Sequence, residues 1–333
     1  MTDISVIIVS YKGADRLAAC LGSVARPPVG SMTREVIIAD NCSEDEGIDL
    51  LEKKYTQFRF LHNSVNGGFA NGCNLGASHA SGEFLLFLNP DTVVVPGAVE
   101  SLVFEARRHP GFTICSCRQV KQNGSESVAW GAFSGFWNIT GMQRSLGRLL
   151  RGKGKVKADP ANPDIWLPDW VSGSVILIRR NDFVAAGGFD SDYWMYFEDV
   201  DLCKRISKKG GEVALFRNIT IEHNHGGSSR INIRTASKTK CEVMISRHIY
   251  ISKHKRGLEK AVTQIFMVVN NLISGLIPAI AGLILPFIPK VALRAAVYSR
   301  LVRYYFKASL MATWVSPNSV NYSREKNKRK KVE

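Results

Sequence analysis

The sequence predicts an α/β protein: a Rossmann-like, mostly parallel sheet flanked by helices, followed by a C-terminal membrane-associated helical segment. Three observations predict it. Apolar runs of strand length alternate with amphipathic stretches through the first 115 residues. Those runs are apolar throughout, as strands covered on both faces are. Residues 261–289, "AVTQIFMVVNNLISGLIPAIAGLILPFIP", carry no charge, over a length compatible with a bilayer span of ~20 residues.

"ISVIIVSY" predicts the first strand and "ADRLAACLGSVA" the first helix. "EVIIADN", "FRFLHN" and "FLLFLNP" predict the next three strands, with helices near "DEGIDLLEKKY" and "ANGCNLGASHA" between them. In such sheets ligands bind outside the carboxyl ends of the strands. Those ends carry Ser10-Tyr11, Asp40-Asn41, Asn63 and Asn89-Pro90-Asp91, four consecutive polar ends that suit a nucleotide crevice. Between residues 120 and 165 the stretch "RSLGRLLRGKGKVKAD" reads as a mobile surface loop. "WVSGSVILIRR" then predicts a strand, "GGFDSDYWMYFEDVDLCKRISKKGG" a turn leading into a helix, and "VALFRNITIEHNHGGSS" one or two strands ending in a histidine-rich turn. The expected domains are a catalytic body over 1–255, a hydrophobic and basic segment over 256–320, and a disordered basic tail over 321–333. Within the body, 1–115 is the expected nucleotide-binding half and 116–255 the acceptor and catalytic half.

At 333 residues and 45% hydrophobic content the chain can bury a sizeable core. Its formal charge of +15 suggests an anionic partner: nucleic acid, an acidic membrane surface or a phosphorylated substrate. The positive charge gathers around the apolar run, in "SKHKRGLEK" and "KVALRAAVYSRLVRYYFK", and in the tail. It does not interleave with aromatics as single-strand binding favours, so no nucleic-acid partner is expected and an anionic membrane surface is. Asn270, Asn271, Pro278, Pro286 and Pro289 interrupt the run; a broken or re-entrant helix, or an amphipathic helix pair lying in the interface, fits at least as well as one span. The first strand is followed by "SYKGAD" with no GxGxxG, which tells against a dinucleotide-dependent oxidoreductase. Seven cysteines without a CxxC pair read as reduced small hydrophobes. The first residues lack a basic n-region before their short β-branched run, so they are expected to form a strand, with the catalytic body in the cytoplasm.

Three clusters offer chemistry. Asp91 ends an apolar strand, although a Pro-Asp turn alone is commonplace. Glu198, Asp199 and Asp201 crowd the start of a helix, where the dipole favours negative charge. One of them is expected to cap the helix, another to be free to accept a proton, and the neighbours to hold geometry or the acceptor. His223 and His225 lie two apart at a strand end and share a face there. Beside Ser228 and Ser229, and with Asp91, they suit an oxygen-and-imidazole site for Mn²⁺ or Mg²⁺. Arg230 and Arg234 are expected to meet phosphate or to line an exposed basic loop. Tyr193, Trp194, Tyr196 and Phe197 suggest an aromatic wall near an acceptor, with at least half of them core.

"SVIIVSYKGADRLAACLGSV", "VIIADNCSED", "NGGFANGCNLGASHASGEFLLFLNPDT", "SGSVILIRRNDFVAAGGFDSDYWMYFEDVDLCKRI" and "HNHGGSS", in this order, resemble the family 2 glycosyltransferases of the GT-A fold. The likeness covers roughly residues 4–255 and is greatest to the bacterial rhamnosyltransferase-like branch that builds O-antigens and related surface glycans. The resemblance implies that Asp40 pairs with a pyrimidine base, with Ser10, Tyr11 and Asn41 in the same pocket. It implies that Asn66, Gly67, Gly68, Phe69 and Asn74 approach the nucleotide and sugar. It makes Asp91 the metal-binding aspartate of a DXD-type motif, His223 its partner on the metal, and Asp199, beside Glu198, the catalytic base, with Trp194 and Asp201 toward the acceptor. The first DXD position is Asn89, as in the "LNPD" variant of this branch, which leaves Asp91 as the arm's single carboxylate.

The activity so implied is inverting, metal-assisted transfer of a sugar from a nucleotide-diphosphate donor to a hydroxyl of a polyprenyl-diphosphate-linked glycan. The place implied is the cytoplasmic face of a bacterial inner membrane, with the protein peripheral or partly embedded through its C-terminal segment. dTDP-L-rhamnose is the expected donor by resemblance alone. A UDP-hexose is the alternative, since uracil and thymine present Asp40 with the same N3–H. A non-catalytic protein binding an anionic ligand is the competing class.

Overall fold

The computed structural model describes residues 2–135, 156–224 and 232–322. Their contacts divide into two units, one of residues 2–133, 156–190 and 198–224, the other of 134–135, 191–197 and 232–322.

The first unit is built on an 11-stranded mixed sheet. Its parallel part runs β3 (Arg59–His62), β2 (Arg34–Asp40), β1 (Ile4–Ser10), β4 (Phe84–Leu88), with Ser10 opposite Asp40 and Ile8 opposite Leu88. Every residue of β1 and β4 is buried, which explains why both read as unbroken apolar runs. The crossovers are α1 (Ala14–Val24), α2 (Glu46–Lys54) and α3 (Gly68–Ser78). Beyond β4 lies β12 (Val175–Arg179), antiparallel to β4 and to its other neighbour, β6 (Phe112–Val120). Then come β13 (Glu212–His223), parallel to β6, and β10 (Asn162–Leu167) and β9 (Lys157–Asp159), each antiparallel to the strand before it. β5 (Thr92–Val93) pairs with the end of β13, Thr92 opposite His223, and β7 (Glu126–Ser127) pairs with β6. β8 (Trp130–Gly131) and β11 (Trp170–Val171) form a separate ribbon. The last expected strand segment is therefore one 12-residue strand, with an irregularity in register between Phe216 and Thr220.

Alternation along the strands sorts the core into two layers. Ile4, Val6 and Ile8 face a cluster containing Leu17 and Leu21 of α1 and Val99, Leu102 and Val103 of α4 (Ala98–Arg108). Ile7, Val9 and Phe87 face the other, with Cys73 of α3, Phe183 of α5 (Arg180–Ala185), Phe189, and Leu202 and Ile206 of α6 (Glu198–Lys208). α3 lies close on β1 because it presents glycines: a Cβ on Gly72 would stand 2.6 Å from Val9 Cγ1, and one on Gly76 2.5 Å from Ile7 Cγ2. The seven cysteines are free thiols, six of them buried.

The second unit contains α7 (Ile233–His254), α8 (Gly257–Ile284) and α9 (Pro289–Leu310). The uncharged run thus becomes most of one continuous helix, with Pro278 inside it, a turn holding Pro286, and Pro289 in the first turn of the next, a position proline favours. α8 and α9 pack through small residues: Gly275 lies against Tyr298, and Gly282 against Ala295 and the Val291 carbonyl. Asn271 of α8 donates to the Tyr305 hydroxyl at 2.8 Å, so one of the polar residues in the run is satisfied by the partner helix. Among the described residues α8 is the one helix long and apolar enough to cross a membrane. One face of it is exposed, through Leu258, Ile265, Ile273, Ile277 and Leu283, and Phe287 extends that surface into the turn. Arg234 is exposed on α7. Most of the expected basic loop (residues 136–155), His225, Ser228, Ser229, Arg230 and the basic tail beyond 322 lie outside the described residues.

Gly72→Ala should cost about 1–3 kcal/mol through overpacking, read by urea unfolding. The added cost should shrink in a Val9→Ala background, where the facing methyls are gone; an equal cost in both backgrounds would show that α3 does not owe its seat to that contact.

Candidate active site

The carboxyl ends of β1 and β2 are joined through side chains. Asp40, 4% exposed, accepts from the Ser43 amide at 3.0 Å and from the Ser43 hydroxyl. The Ser43 hydroxyl oxygen in turn accepts from the Lys12 amide at 2.9 Å. The two turns are built from residues in the left-handed region, Lys12 (φ 53°) and Gly13 (99°) after β1 and Cys42 (59°) and Glu44 (47°) after β2. Non-glycine residues there cost conformational energy that the surroundings must hold, as happens around ligand sites. Asn41 is buried; its amide donates to the Gly68 carbonyl at 3.0 Å, and its oxygen accepts from Asn63 at 2.8 Å. Asn66 accepts from the Gly68 amide at 3.1 Å, and Gly68 needs its φ of 87° to start α3. Ser10, Tyr11, Asp40, Asn41, Asn66, Gly67, Gly68 and Phe69 are thus gathered at the ends of β1–β3 and the start of α3. Asn74 is engaged otherwise: its side chain donates to the Phe189 carbonyl at 2.7 Å and accepts from the Phe189 amide at 2.9 Å, pinning the turn after Gly187-Gly188.

At the end of β4 the chain presents Asn89 and Asp91. β5 pairs Thr92 with His223, which brings His223 Nε2 to 3.2 Å from Asp91 Oδ1 and 3.4 Å from Asn89 Nδ2. The imidazole is buried and its Nδ1 lies 2.7 Å from Gln119 Oε1. With Nδ1 donating there, Nε2 turns a lone pair toward a carboxylate oxygen. Two electron-rich atoms face each other, and one carboxylate with one imidazole is a donor set that suits Mn²⁺ or Mg²⁺. Among the described residues no group of three or more His, Cys, Asp and Glu side chains could hold a metal. The share that the described residues supply to such a site is therefore these two atoms.

The chain enters α6 through two successive left-handed residues, Tyr196 (φ 71°) and Phe197 (67°), which bend it just before Glu198 and Asp199. Asp199 accepts from the Val200 amide at 2.7 Å and the Gly173 amide at 2.8 Å. Burial raises its proton affinity above that of an ordinary aspartate, and those two backbone bonds work against the rise. Glu198 is 6% exposed, with Oε2 buried and no hydrogen-bond partner. Burial, then the charge of Asp199, holds the Glu198 carboxyl well above the usual range. The pair is therefore unequal: one oxygen acid tends to keep its proton, and the other is held by backbone dipoles in a form that can accept one. Asp201, 1% exposed, accepts from Arg205 Nε at 2.7 Å, and Arg205 also donates to the Ala186 and Gly188 carbonyls. Trp194 belongs to the second unit, where its ring is buried beneath Lys238 Nζ at 3.7 Å. Tyr193 is also buried, while Tyr196 and Phe197 are partly exposed.

Sequence reasoning missed the residues that link these parts. The Ser174 hydroxyl donates to Gln119 Oε1 at 2.8 Å and its carbonyl accepts from the Asn89 amide at 3.0 Å, while Gly173 holds Asp199. Gln119 lies near the end of a strand of mixed composition, "FTICSCRQV", beside Arg118, so it did not stand out as Asp91 does.

Residues 5–154 match the glycosyl transferase family 2 model, and residues 153–225 the model described as the N-terminal domain of galactosyltransferase. Among curated proteins, the chain is 28% identical over 242 residues to the N-acetylglucosaminyl-diphospho-decaprenol L-rhamnosyltransferase of Mycobacterium tuberculosis, covering 63% of this chain and 72% of that one. It is 27% identical over 219 residues to the rhamnosyltransferase WbbL of Escherichia coli, covering 62% and 77%. Among solved structures, GalNAc-T7 with UDP, GalNAc and Mn²⁺ superposes with a TM-score of 0.52 at 15% identity, over 81% of this chain and 55% of that one, a likeness of fold.

A carboxyl whose folded-state pKa is raised binds its proton more tightly in the folded chain, so it costs stability as pH rises above its ordinary value near 4.5 and nothing below it. Glu198→Gln should therefore raise the melting temperature more at pH 8 than at pH 5, in scanning calorimetry. A difference independent of pH would show that Glu198 is not held in this way.

Proposed function

This chain carries a glycosyl transferase family 2 domain and is a glycosyltransferase; from that premise we propose that it transfers L-rhamnose from dTDP-rhamnose, with inversion, to a hydroxyl of a polyprenyl-diphosphate-linked glycan. The observation that carries the site assignment is the Ser172-Gly173-Ser174 connection, which bonds both to Asp199 and to the strand end bearing Asn89 and Asp91. The rhamnosyl donor and lipid-linked acceptor are supported by the two rhamnosyltransferase relatives, one of which is named for a decaprenyl-diphosphate-linked N-acetylglucosamine.

In this reading the base and ribose lie against Tyr11, Asp40 and Asn41, and the diphosphate runs past Gly67-Gly68 toward Asp91. Asp91 Oδ1 and His223 Nε2 would hold Mn²⁺ or Mg²⁺, which supplies positive charge against the diphosphate leaving group. Asp199 takes the proton of the acceptor hydroxyl as the new C–O bond forms on the face opposite the breaking bond to the diphosphate. Inversion needs a single base, and Glu198, keeping its proton, does not compete for that role. The product is the lengthened lipid-linked glycan, and the nucleoside diphosphate leaves.

The acceptor's lipid places the reaction at a membrane. The exposed apolar face of α8 and the Phe287 turn, flanked by Lys253, Lys255, Arg256, Lys260, Lys290 and Arg294, suit a helix pair lying in an anionic leaflet, apolar face down. We place it on the cytoplasmic side of the inner membrane.

With Mn²⁺ and a panel of nucleotide sugars, dTDP-rhamnose should give the fastest release of nucleoside diphosphate. Asp199→Asn should lower kcat by about 10²–10⁴, and Asp91→Ala should abolish turnover. Because a base acts ionised, kcat should rise with pH along an acid limb centred above 3.8, the ordinary aspartate value, and Asp199→Asn should remove that limb. Release of no nucleoside diphosphate from any donor would overturn the reading; preference for a UDP-hexose would correct the donor alone. Purified protein should float with phosphatidylglycerol vesicles, and Ile273→Glu with Ile277→Glu should lower partitioning at least tenfold, on the basis of about 1.5–3 kcal/mol per buried aliphatic side chain. Equal flotation of that variant would exclude this face as the docking surface.

A further inference from the structure

We infer that Gln119, backed by Ser174, is the positioning residue that sets the tautomer of His223 and thereby governs whether the Asp91–His223 pair can take a divalent cation. The inference rests on the proposed metal-binding role of that pair and adds a residue to it.

Parallel pairing of β6 with β13 sets Gln119 opposite Ile221, two residues before His223. Gln119 is 1% exposed. Its Oε1 lies 2.7 Å from His223 Nδ1 and 2.8 Å from the Ser174 hydroxyl. A carbonyl oxygen has two lone pairs, so it can accept from both neighbours at once. In that arrangement Gln119 Nε2 is buried without a hydrogen-bond partner, and a buried unpaired N–H is costly. Turning the amide end for end puts both N–H bonds on partners and leaves Oε1 in the partnerless position instead. Nε2 then donates to His223 Nδ1 and to the Ser174 hydroxyl oxygen, and the hydroxyl proton swings toward Ser172 Oγ at 3.0 Å.

The two amide orientations impose opposite tautomers. With Oε1 toward the ring, Nδ1 carries the proton and Nε2 directs a lone pair at Asp91 Oδ1 across 3.2 Å, an arrangement a cation completes. With Nε2 toward the ring, the proton moves to His223 Nε2, which then donates to Asp91, and no lone pair is left for a metal. A cation selects the first arrangement, and its binding outweighs the unpaired Gln119 N–H. Without a cation the second makes more hydrogen bonds, from Gln119 Nε2 to His223 and Ser174, from Ser174 to Ser172 and from His223 to Asp91, against one unpaired carbonyl oxygen. Gln119 thus acts on the metal through the imidazole, as groups holding the far nitrogen of a ligating histidine do.

The test uses the full chain and titrates Mn²⁺ by electron paramagnetic resonance, alone and with dTDP or UDP. Gln119→Leu should weaken Mn²⁺ binding by about 10–100-fold. Gln119→Glu can only accept from Nδ1, so it holds the metal-competent tautomer and should stay within about threefold of the parent protein, a margin small beside that loss. Asp91→Ala and His223→Ala report on the site itself: if Mn²⁺ binds them as it binds the parent, the metal reading fails. If they lose Mn²⁺ while Gln119→Leu binds normally, the role of Gln119 alone is overturned. Should Gln119→Leu not fold, ¹⁵N spectra of the histidine-labelled parent decide. With Mg²⁺ and dTDP bound, the ring signal that is absent from His223→Asn must show a protonated Nδ1; a protonated Nε2 overturns the inference.

Discussion

The constraint on which the site depends is topological. β12 runs antiparallel between β4 and β6, so its first residues lie at the carboxyl edge of both neighbours, where a parallel strand would bring only its end. The residues entering β12 are Ser172-Gly173-Ser174. Through them the Asn89 amide, the Gln119 side chain and the Asp199 carboxylate are bonded to one short connection. Asn89 and Asp91 close β4 at the carboxyl edge of the sheet, Gln119 holds His223, and Asp199 opens α6. Their spacing is therefore set by two adjacent residues, Gly173 and Ser174, at the head of β12, where close packing allows little movement.

The electrostatics follow from that placement. Two adjacent carboxyls at the start of a helix, one buried and one half-buried, cannot both ionise cheaply. The Gly173 and Val200 amides point at Asp199, while Glu198 Oε2 has no such donor, so the charge settles on Asp199. The chain bends through two left-handed residues, Tyr196 and Phe197, just before this pair. The cost of the bend and of the buried Glu198 falls on stability, which is where strained functional sites commonly carry it.

Much of this was legible beforehand. Buried parallel strands read as apolar runs, and each polar residue closing one of them stood out; Asp40, Asn41 and Asp91 lie where that logic put them. Side-chain engagement was not legible. Asn74 and Asp201 read as ligand-facing. Asn74 holds Phe189, 115 positions on, a pairing that exists only once the sheet has formed, while Asp201 holds Arg205 one helical turn away. Gln119 sits in a strand of mixed composition and Ser174 in the turn before β12, and neither shows its role until its partner from a distant element arrives. The apolar run near the C-terminus showed its length and lack of charge, but not that glycines would let two helices close on each other.

The central claim is that Asp91 and His223, brought together by the Thr92–His223 pairing and held in register with Asp199, form the cation arm of a nucleotide-sugar site. Anomalous diffraction from crystals grown with Mn²⁺ and dTDP or UDP tests it most directly. The account predicts a manganese peak within coordination distance of both Asp91 Oδ1 and His223 Nε2, with the diphosphate on the same ion. Nucleotide bound in the crevice with manganese elsewhere, or with none, would contradict it.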